Sequence, residues 1–317
     1  MTRTPHLGMR EIEAAAGRIS GVAARTPIVE SPALSKLTGH EVYLKLECFQ
    51  PIKVFKIRGA YNKTSMVRER SVVAASSGNH GIAVAYSARL LGKRCAVVVP
   101  ETAVREKVVK IEEYGAEAVR FGRTSSEREA KAREMARETG AAFIHPFNDP
   151  DVIAGQGTCG LEIAEQLEDF DAVIVPVGGG GLISGVSTAV KAMRPDAKVY
   201  GVETEAAPKL TEALRLKKIV TVSPRPSVAD GLLPSALGKL AFGICFRTVD
   251  GAYAASEEEI LRSTRKMIEA GFIAEPSGAA ALCPLLSKRS REIGRRVVLV
   301  VSGGNISREL LVRALAA

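Results

Sequence analysis

Four consecutive glycines, Gly178–Gly181, stand between an apolar run and a stretch with helical spacing. Without Cβ atoms such a turn can curl its N–H groups around an anion, and the N-terminus of a following helix adds its dipole. No Lys-Ser/Thr pair follows, so this is not a Walker loop. The GxGxxG dinucleotide spacing with an acidic partner is also missing. The chemistry that fits is a phosphate monoester; the plain alternative is a flexible turn. Two other segments, VVAASSGNHGIAVAY and VVLVVSGGNISREL, repeat the order of strand, glycine-bearing turn and helix seen in VIVPVGGGGLISGV. One such turn needs no function. Three at the carboxyl ends of strands can hold several anionic groups at once. Lys56, within VFKIRGA, has apolar neighbours, and desolvation favours the neutral amine that attacks a carbonyl. Locally, nothing else separates it from a surface lysine.

The elements that must position these turns are legible as short apolar runs alternating with helical patterns. Strands are expected at Val72–Ala75, Ala96–Val99, Ala172–Val177, Val199–Val202 and Val297–Val301. Helices are expected at Ile82–Leu91, Val104–Tyr114, Ser125–Thr139, Gly157–Glu168, Leu182–Met193, Glu257–Ala270 and Ser277–Leu286. Strands apolar throughout belong in parallel sheets covered on both faces. The alternation therefore predicts an α/β fold.

With 317 residues the chain can build two lobes. Hydrophobic residues make up 46% and charged residues 25%, and no apolar run approaches a membrane span. The N-terminal stretch has no signal-peptide pattern, so a cytoplasmic location is expected. Five separated cysteines predict free, mostly buried thiols, and the four histidines do not cluster with them as in a zinc site. The formal charge of +9 is interleaved with acids, aromatics are 5%, and Trp is absent. That describes a solvated basic surface rather than a nucleic-acid platform.

FKIRGA (Phe55–Ala60), SSGNHG (Ser76–Gly81), the tetraglycine turn and SGGN (Ser302–Asn305) together resemble the serine/threonine dehydratase and serine racemase family. Further matches are LKLE at Leu44–Glu47, AGQGT at Ala154–Thr158, ADG at Ala229–Gly231 and AEPSGA at Ala274–Ala279. They follow the family's order over nearly the whole chain. The resemblance implies a fold-type-II pyridoxal-phosphate enzyme, tryptophan-synthase-β-like, with two lobes of parallel-rich twisted sheets flanked by helices. Residues 1–66 and 149–317 would form the large cofactor-binding domain. Residues 67–148 would form a small domain closing over the substrate. It implies β-elimination of L-threonine or L-serine to a 2-oxo acid and ammonia, by a homodimer or homotetramer.

The resemblance also implies a residue for each task. Lys56 would carry pyridoxal 5'-phosphate and, once displaced by substrate, remove the α-proton. Phe55 would pack on the pyridine face. Gly178, Gly179, Gly180, Gly181 and the Leu182 N–H would hold the phosphate. Asn79 would meet the ring hydroxyl and Ser302 the pyridine nitrogen. A hydroxyl there does not enforce a protonated ring, which suits prompt β-elimination. Ser76, Ser77, Gly78, Asn79 and His80 would grip the substrate carboxylate, with His80 orienting the loop and Glu275 nearby. The serine at Ser77 can also act as acid or base on the opposite face, so an amino-acid racemase using Lys56 and Ser77 is the rival. A non-catalytic protein binding a phosphate ligand is a remoter one.

Some positions depart from the pattern. Val54 replaces the usual Ser or Thr, and Lys63–Ser71 is short, predicting a truncated helix or hinge. The family's cation site would use Glu203 and an acid six residues later. Here that second position is Lys209, which cannot ligate a hard cation while protonated. No metal is expected, with Glu203 the weak exception and Lys209 able to pair with it. The chain ends soon after Asn305, so feedback through a C-terminal sensing domain is not expected.

Overall fold

The computed structural model describes residues 7–76, 78–103, 105–287 and 292–316. Strands β1 (Ile28–Glu30), β2 (Glu41–Leu46), β3 (Ser71–Ala75), β4 (Arg94–Val99) and β5 (Glu117–Arg120) come first. They are followed by β6 (Ala142–Phe143), β7 (Ala172–Pro176), β8 (Lys198–Thr204), β9 (Gly251–Ala255) and β10 (Arg296–Val301). These build two sheets. The larger has the order β1-β2-β10-β7-β8-β9, and the smaller the order β5-β4-β3-β6. The smaller sheet is parallel throughout, and in the larger only the β1–β2 pair is antiparallel. The fold is α/β with parallel-rich sheets flanked by helices, as the alternation of elements predicts.

Each sheet is apolar on both faces because helices cover both. Leu44, Ile174, Val297 and Leu299 pack on one side of the larger sheet, and Val173, Val175, Val298 and Val300 on the other. Alternate residues of one strand thus enter different cores, so β7 and β10 read as unbroken apolar runs. In the smaller sheet Val72, Ala74, Val97 and Val99 share a core with Ile52, Val54, Ile57 and Ala60, which belong to the Lys56 segment. All five cysteines are free and buried. No described helix is long and apolar enough to cross a membrane.

Strand order decides where the turns meet. β10 and β7 are neighbours and parallel, so SGGN and the tetraglycine turn emerge side by side. β8 adjoins β7 and delivers Glu203 to the same end. Ligands in open α/β sheets sit at this carboxyl edge.

Helices cross closely behind the site. A Cβ on Gly59 would lie 2.5 Å from Val152 O, and one on Gly155 2.6 Å from Arg58 O. Glycine is required there because helix Lys56–Met66 and helix Pro150–Gln166 touch backbone to backbone. The glycines of FKIRGA and AGQGT therefore serve packing.

Several boundaries differ from expectation. Helix Pro150–Gln166 begins seven residues before Gly157, with Asp149 accepting from Asp151 N and Val152 N and Pro150 in the first turn. The expected helix Ser277–Leu286 is split into Pro276–Ala279, the 3-10 turn Ala280–Leu282 and Cys283–Leu286. Pro284 has no N–H to continue it. Lys63–Ser71 holds the end of a helix closing at Met66 and the start of β3.

Candidate active site

Lys56 opens its helix with Phe55 at the N-cap position. The segment before it is tied to the SGGN loop. Phe55 N donates to Ser302 O at 3.0 Å, Gly304 N donates to Lys53 O at 2.8 Å, and Val54 bridges Gly303. Lys56 Nζ donates to Pro146 O at 2.8 Å and lies 5.1 Å from the centroid of the Phe55 ring. Burial, with no carboxylate among the described residues to offset it, lowers its pKa from 10.5 to about 8. A nucleophilic amine needs that bias.

The tetraglycine turn lies between β7 and helix Gly181–Met193. Gly180 has φ +90°, a left-handed conformation that favours glycine. A Cβ on Gly179 would collide with the Phe147 ring, and one on Gly178 would lie 2.5 Å from Gly231 O. The turn is thus a bare backbone closed in by Phe147. The N–H groups of Gly181 and Leu182 head a helix, where they have no intrahelical acceptor.

Ser76 follows β3, and its Oγ accepts from Gly78 N at 3.2 Å. Ser77 lies outside the described residues. Asn79 starts helix Asn79–Leu90 and reaches the SGGN side. Its Nδ2 donates to Glu275 Oε1 at 2.7 Å, and its Oδ1 accepts from Asn305 Nδ2 at 2.9 Å. Among the described residues, one N–H and one lone pair of the Asn79 amide are left unused. His80 donates from Nε2 to Ile144 O at 2.9 Å, so its buried Nδ1 is a lone pair without a partner among the described residues. Burial first, and then Lys56 nearby, push this histidine down to about 3, which keeps it neutral. Ser302 is buried at the end of β10.

Glu275 is buried beside Asn79, and its pKa is raised from 4.5 to about 7 by burial and then by Asp230. The folded protein holds this proton more tightly than the unfolded chain. Its contribution to stability is full below pH 4.5 and is lost as pH rises through about 7. Glu275→Gln is therefore expected to match the wild type near pH 5 and exceed it at pH 8, read as the difference in thermal midpoints.

The structure links Phe55 to Ser302, Lys56 through Pro146 and Phe147 to the glycine turn, and Asn79 to Glu275 and the SGGN loop, with His80 close enough to feel the Lys56 charge. It does not leave Glu203 free for a metal. Both its oxygens accept main-chain N–H groups, from Leu210 at 2.8 Å and Thr211 at 2.7 Å. Sequence reasoning missed His145 and Phe147. His145 Nδ1 accepts from Phe147 N and Asn148 N, fixing the turn that carries Pro146 O and the ring behind Gly179. The one available signal was the run His145-Pro146-Phe147-Asn148 between a strand and a capped helix.

It also missed a buried ion network. Arg58 pairs with both oxygens of Glu47, at 2.7 Å each, and both of Glu162, at 2.6 and 2.8 Å. Lys45 reaches Glu162 at 2.5 Å and Thr26 O at 2.7 Å. Burial would raise Glu47, but Arg58 overrides it and holds the carboxyl below its usual range. LKLE, the arginine of FKIRGA and helix Pro150–Gln166 are thus one anchor for the start of the Lys56 helix.

The donors present fit pyridoxal phosphate: an amine biased toward neutrality, a side-chain-free anion cradle at a helix N-terminus, and a buried hydroxyl at the end of the adjacent strand. The family model described as pyridoxal-phosphate dependent enzyme matches residues 19–303. The chain belongs to this family, and its fold is that of the fold-type-II members. Among its relatives, the L-threonine ammonia-lyase of Thermotoga maritima is 43% identical over 310 residues, 96% of this chain and 77% of that one. A threonine deaminase of T.th. superposes with a TM-score of 0.91 at 40% identity, covering 95% of this chain and 99% of that one. The serine racemase from Dictyostelium discoideum gives 0.89 at 35% identity, with the same coverage of 95% and 99%.

Gly179→Ala tests the cradle. The added methyl meets the Phe147 ring, so a cost of about 1–3 kcal/mol is expected, as for overpacking elsewhere. Cofactor affinity should fall with it, and Phe147→Ala in the same chain should recover part of the loss. Absorbance titration with pyridoxal phosphate and thermal unfolding measure the two effects.

Proposed function

We propose that this chain removes water and ammonia from L-threonine, and from L-serine, to give the 2-oxo acid. The observation that carries this reading is the Lys56 amine. It is held at Pro146 O without a counter-ion among the described residues, beside SGGN, which itself adjoins the glycine turn. The relatives named for threonine deamination support the substrate.

Bound pyridoxal phosphate supplies a sink for the electron pair left when the substrate's α-C–H bond breaks. Lys56 would hold the cofactor, release it to the substrate amine, and take the α-proton on Nζ. The N–H groups of Gly178–Gly181 and Leu182 would bind the phosphate. Ser302 Oγ would face the ring nitrogen, Phe55 the ring, and the free N–H of Asn79 the ring hydroxyl. Ser76, Ser77, Gly78 and the N-terminus of helix Asn79–Leu90 would take the substrate carboxylate. His80 would hold that loop through Ile144 O, and Glu275 would fix Asn79. The Lys56 ammonium would return its proton to the departing β-hydroxyl as water. Hydrolysis of the released enamine then gives the oxo acid and ammonia.

In the same reading, residues 1–66 and 149–317 form the cofactor-binding domain. Residues 67–148 form a smaller one that closes over the substrate and excludes water. The four strands of the smaller sheet support this, since they fall between residues 71 and 143. The Lys107–Asp230 ion pair of 2.6 Å would then join the smaller part to the larger. A cytoplasmic homodimer or homotetramer belongs to the proposal.

The test gives purified holoenzyme L-threonine and L-serine separately and follows 2-oxo acid, ammonia and D-enantiomer together. Threonine should yield 2-oxobutanoate and serine pyruvate, each with one ammonia. D-Serine without oxo acid would transfer the assignment to the racemase chemistry of the Dictyostelium relative, with Ser77 on the second face. Neither product would sink both readings.

A further inference from the structure

Arg58, Lys45 and Lys209 are the largest fully buried side chains of the described residues. Arg58 and Lys45 share the carboxylates of one network. Lys209 is held in another way. Its Nζ donates to Leu232 O at 2.7 Å, Val177 O at 3.0 Å and Ala207 O at 3.1 Å. An ammonium has three protons, and each has a main-chain carbonyl. The Glu203 carboxylate completes the shell at 3.4 Å. Three carbonyls and a carboxylate around one positive centre are the oxygen donor set of a cation site. Here the cation is part of the chain.

What this charge joins gives it a purpose. Val177 immediately precedes the tetraglycine turn. Leu232 closes the 3-10 turn Asp230–Leu232, whose Gly231 O lies against Gly178. Ala207 belongs to the bend between β8 and helix Lys209–Leu216. The glycine turn has no side chains of its own to hold it, so its order must come from its surroundings. Phe147 covers one side, and Lys209 ties the base to two flanking loops. Three carbonyl acceptors need three N–H donors, so this is a site for the charged ammonium and not for the neutral amine.

We propose that Lys209 is a tethered internal cation that orders the glycine turn, making phosphate binding by this chain independent of added metal ions. Lys209 is a positioning residue, since it acts through the main chain of the turn. The proposal rests on the reading of that turn as the phosphate cradle.

The experiment compares binding of pyridoxal phosphate with binding of pyridoxal, which lacks the phosphate. It uses the wild type, Lys209→Met and Lys209→Ala. The wild type should prefer the phosphate form strongly. Chelation by EDTA, or addition of magnesium or potassium, should change its affinity and turnover by less than about twofold. In Lys209→Met the preference should fall at least about tenfold, since charged hydrogen bonds to three carbonyls are lost. In Lys209→Ala, ammonium or methylammonium ions should restore part of it and raise the thermal midpoint of the cofactor-free protein, an effect the wild type should not show.

A wild type that loses activity in EDTA, or a Lys209→Met protein with undiminished phosphate preference, would overturn the proposal. If the variants do not fold, the chelation result on the wild type still decides whether an added cation is needed. A wild type with no preference for the phosphate form would instead overturn the cradle reading.

Discussion

Lys56→Ala is expected to lower the rate of 2-oxobutanoate formation from L-threonine by about a thousandfold or more, the range seen when a positioned proton-transfer group is removed. The fold should survive. The Lys56 side chain donates to one carbonyl and, among the described residues, carries no ion pair that the structure depends on. The alanine variant should still bind pyridoxal phosphate through the glycine turn, more weakly and without the visible absorption of a lysine-bound cofactor. Added small amines should recover some turnover, because what is lost is an amine near a pKa of 8 in a defined place. A variant that kept more than a tenth of wild-type turnover would mean that another base takes the α-proton.

Arg58→Met is expected to cost about 3–5 kcal/mol of stability, although Arg58 has no expected contact with substrate. Arg58 neutralises Glu47 and Glu162, and both Arg58 and Glu47 are fully buried. Lys45 would still serve Glu162 and act on Glu47 from a distance, but the hydrogen-bond donors left to Glu47 among the described residues would be the neutral Thr26 and Gln50. A buried charge left in this state is the costly outcome. Adding Glu47→Gln should therefore recover part of the loss, and this non-additivity separates a charge effect from a simple cavity. Denaturant midpoints of the two single variants, the double variant and the wild type complete the cycle. Additive losses would show that Arg58 contributes packing alone.

The parts of the fold readable from sequence were those whose physics is local. β7 and β10 are apolar because both faces are covered, and the glycine turns after them announce the carboxyl edge of the sheet. Strands β1, β5 and β6 are short, partly exposed edges, so no apolar run marked them. Helix Lys56–Met66 escaped for a different reason. It buries Arg58, Asn62 and Thr64 along with Ile57 and Ala60, so its polar residues do not mark a solvent face. Helix Pro150–Gln166 was half hidden because AGQG looks like a loop until helix packing explains its glycines.

The site divides along the same line. Lys56, the glycine turn, Asn79 and Ser302 were named from motifs. Their meeting depends on strand order, which no single segment encodes. Arg58, His145 and Phe147 act by touching residues far along the chain, and the one local signal, the run His145-Pro146-Phe147-Asn148 before a capped helix, does not say which residues those are. Lys209 could be flagged as an anomaly beside Glu203. Its three carbonyl acceptors required the fold.

The claim on which the rest depends is that Lys56 carries the cofactor. Borohydride reduction of the holoenzyme, followed by proteolysis and mass mapping, addresses it directly. The account predicts one pyridoxyl-phosphate adduct per chain, on the peptide that contains Lys56, and none in Lys56→Ala. An adduct on another lysine, or full activity in a chain that acquires no adduct, would contradict it.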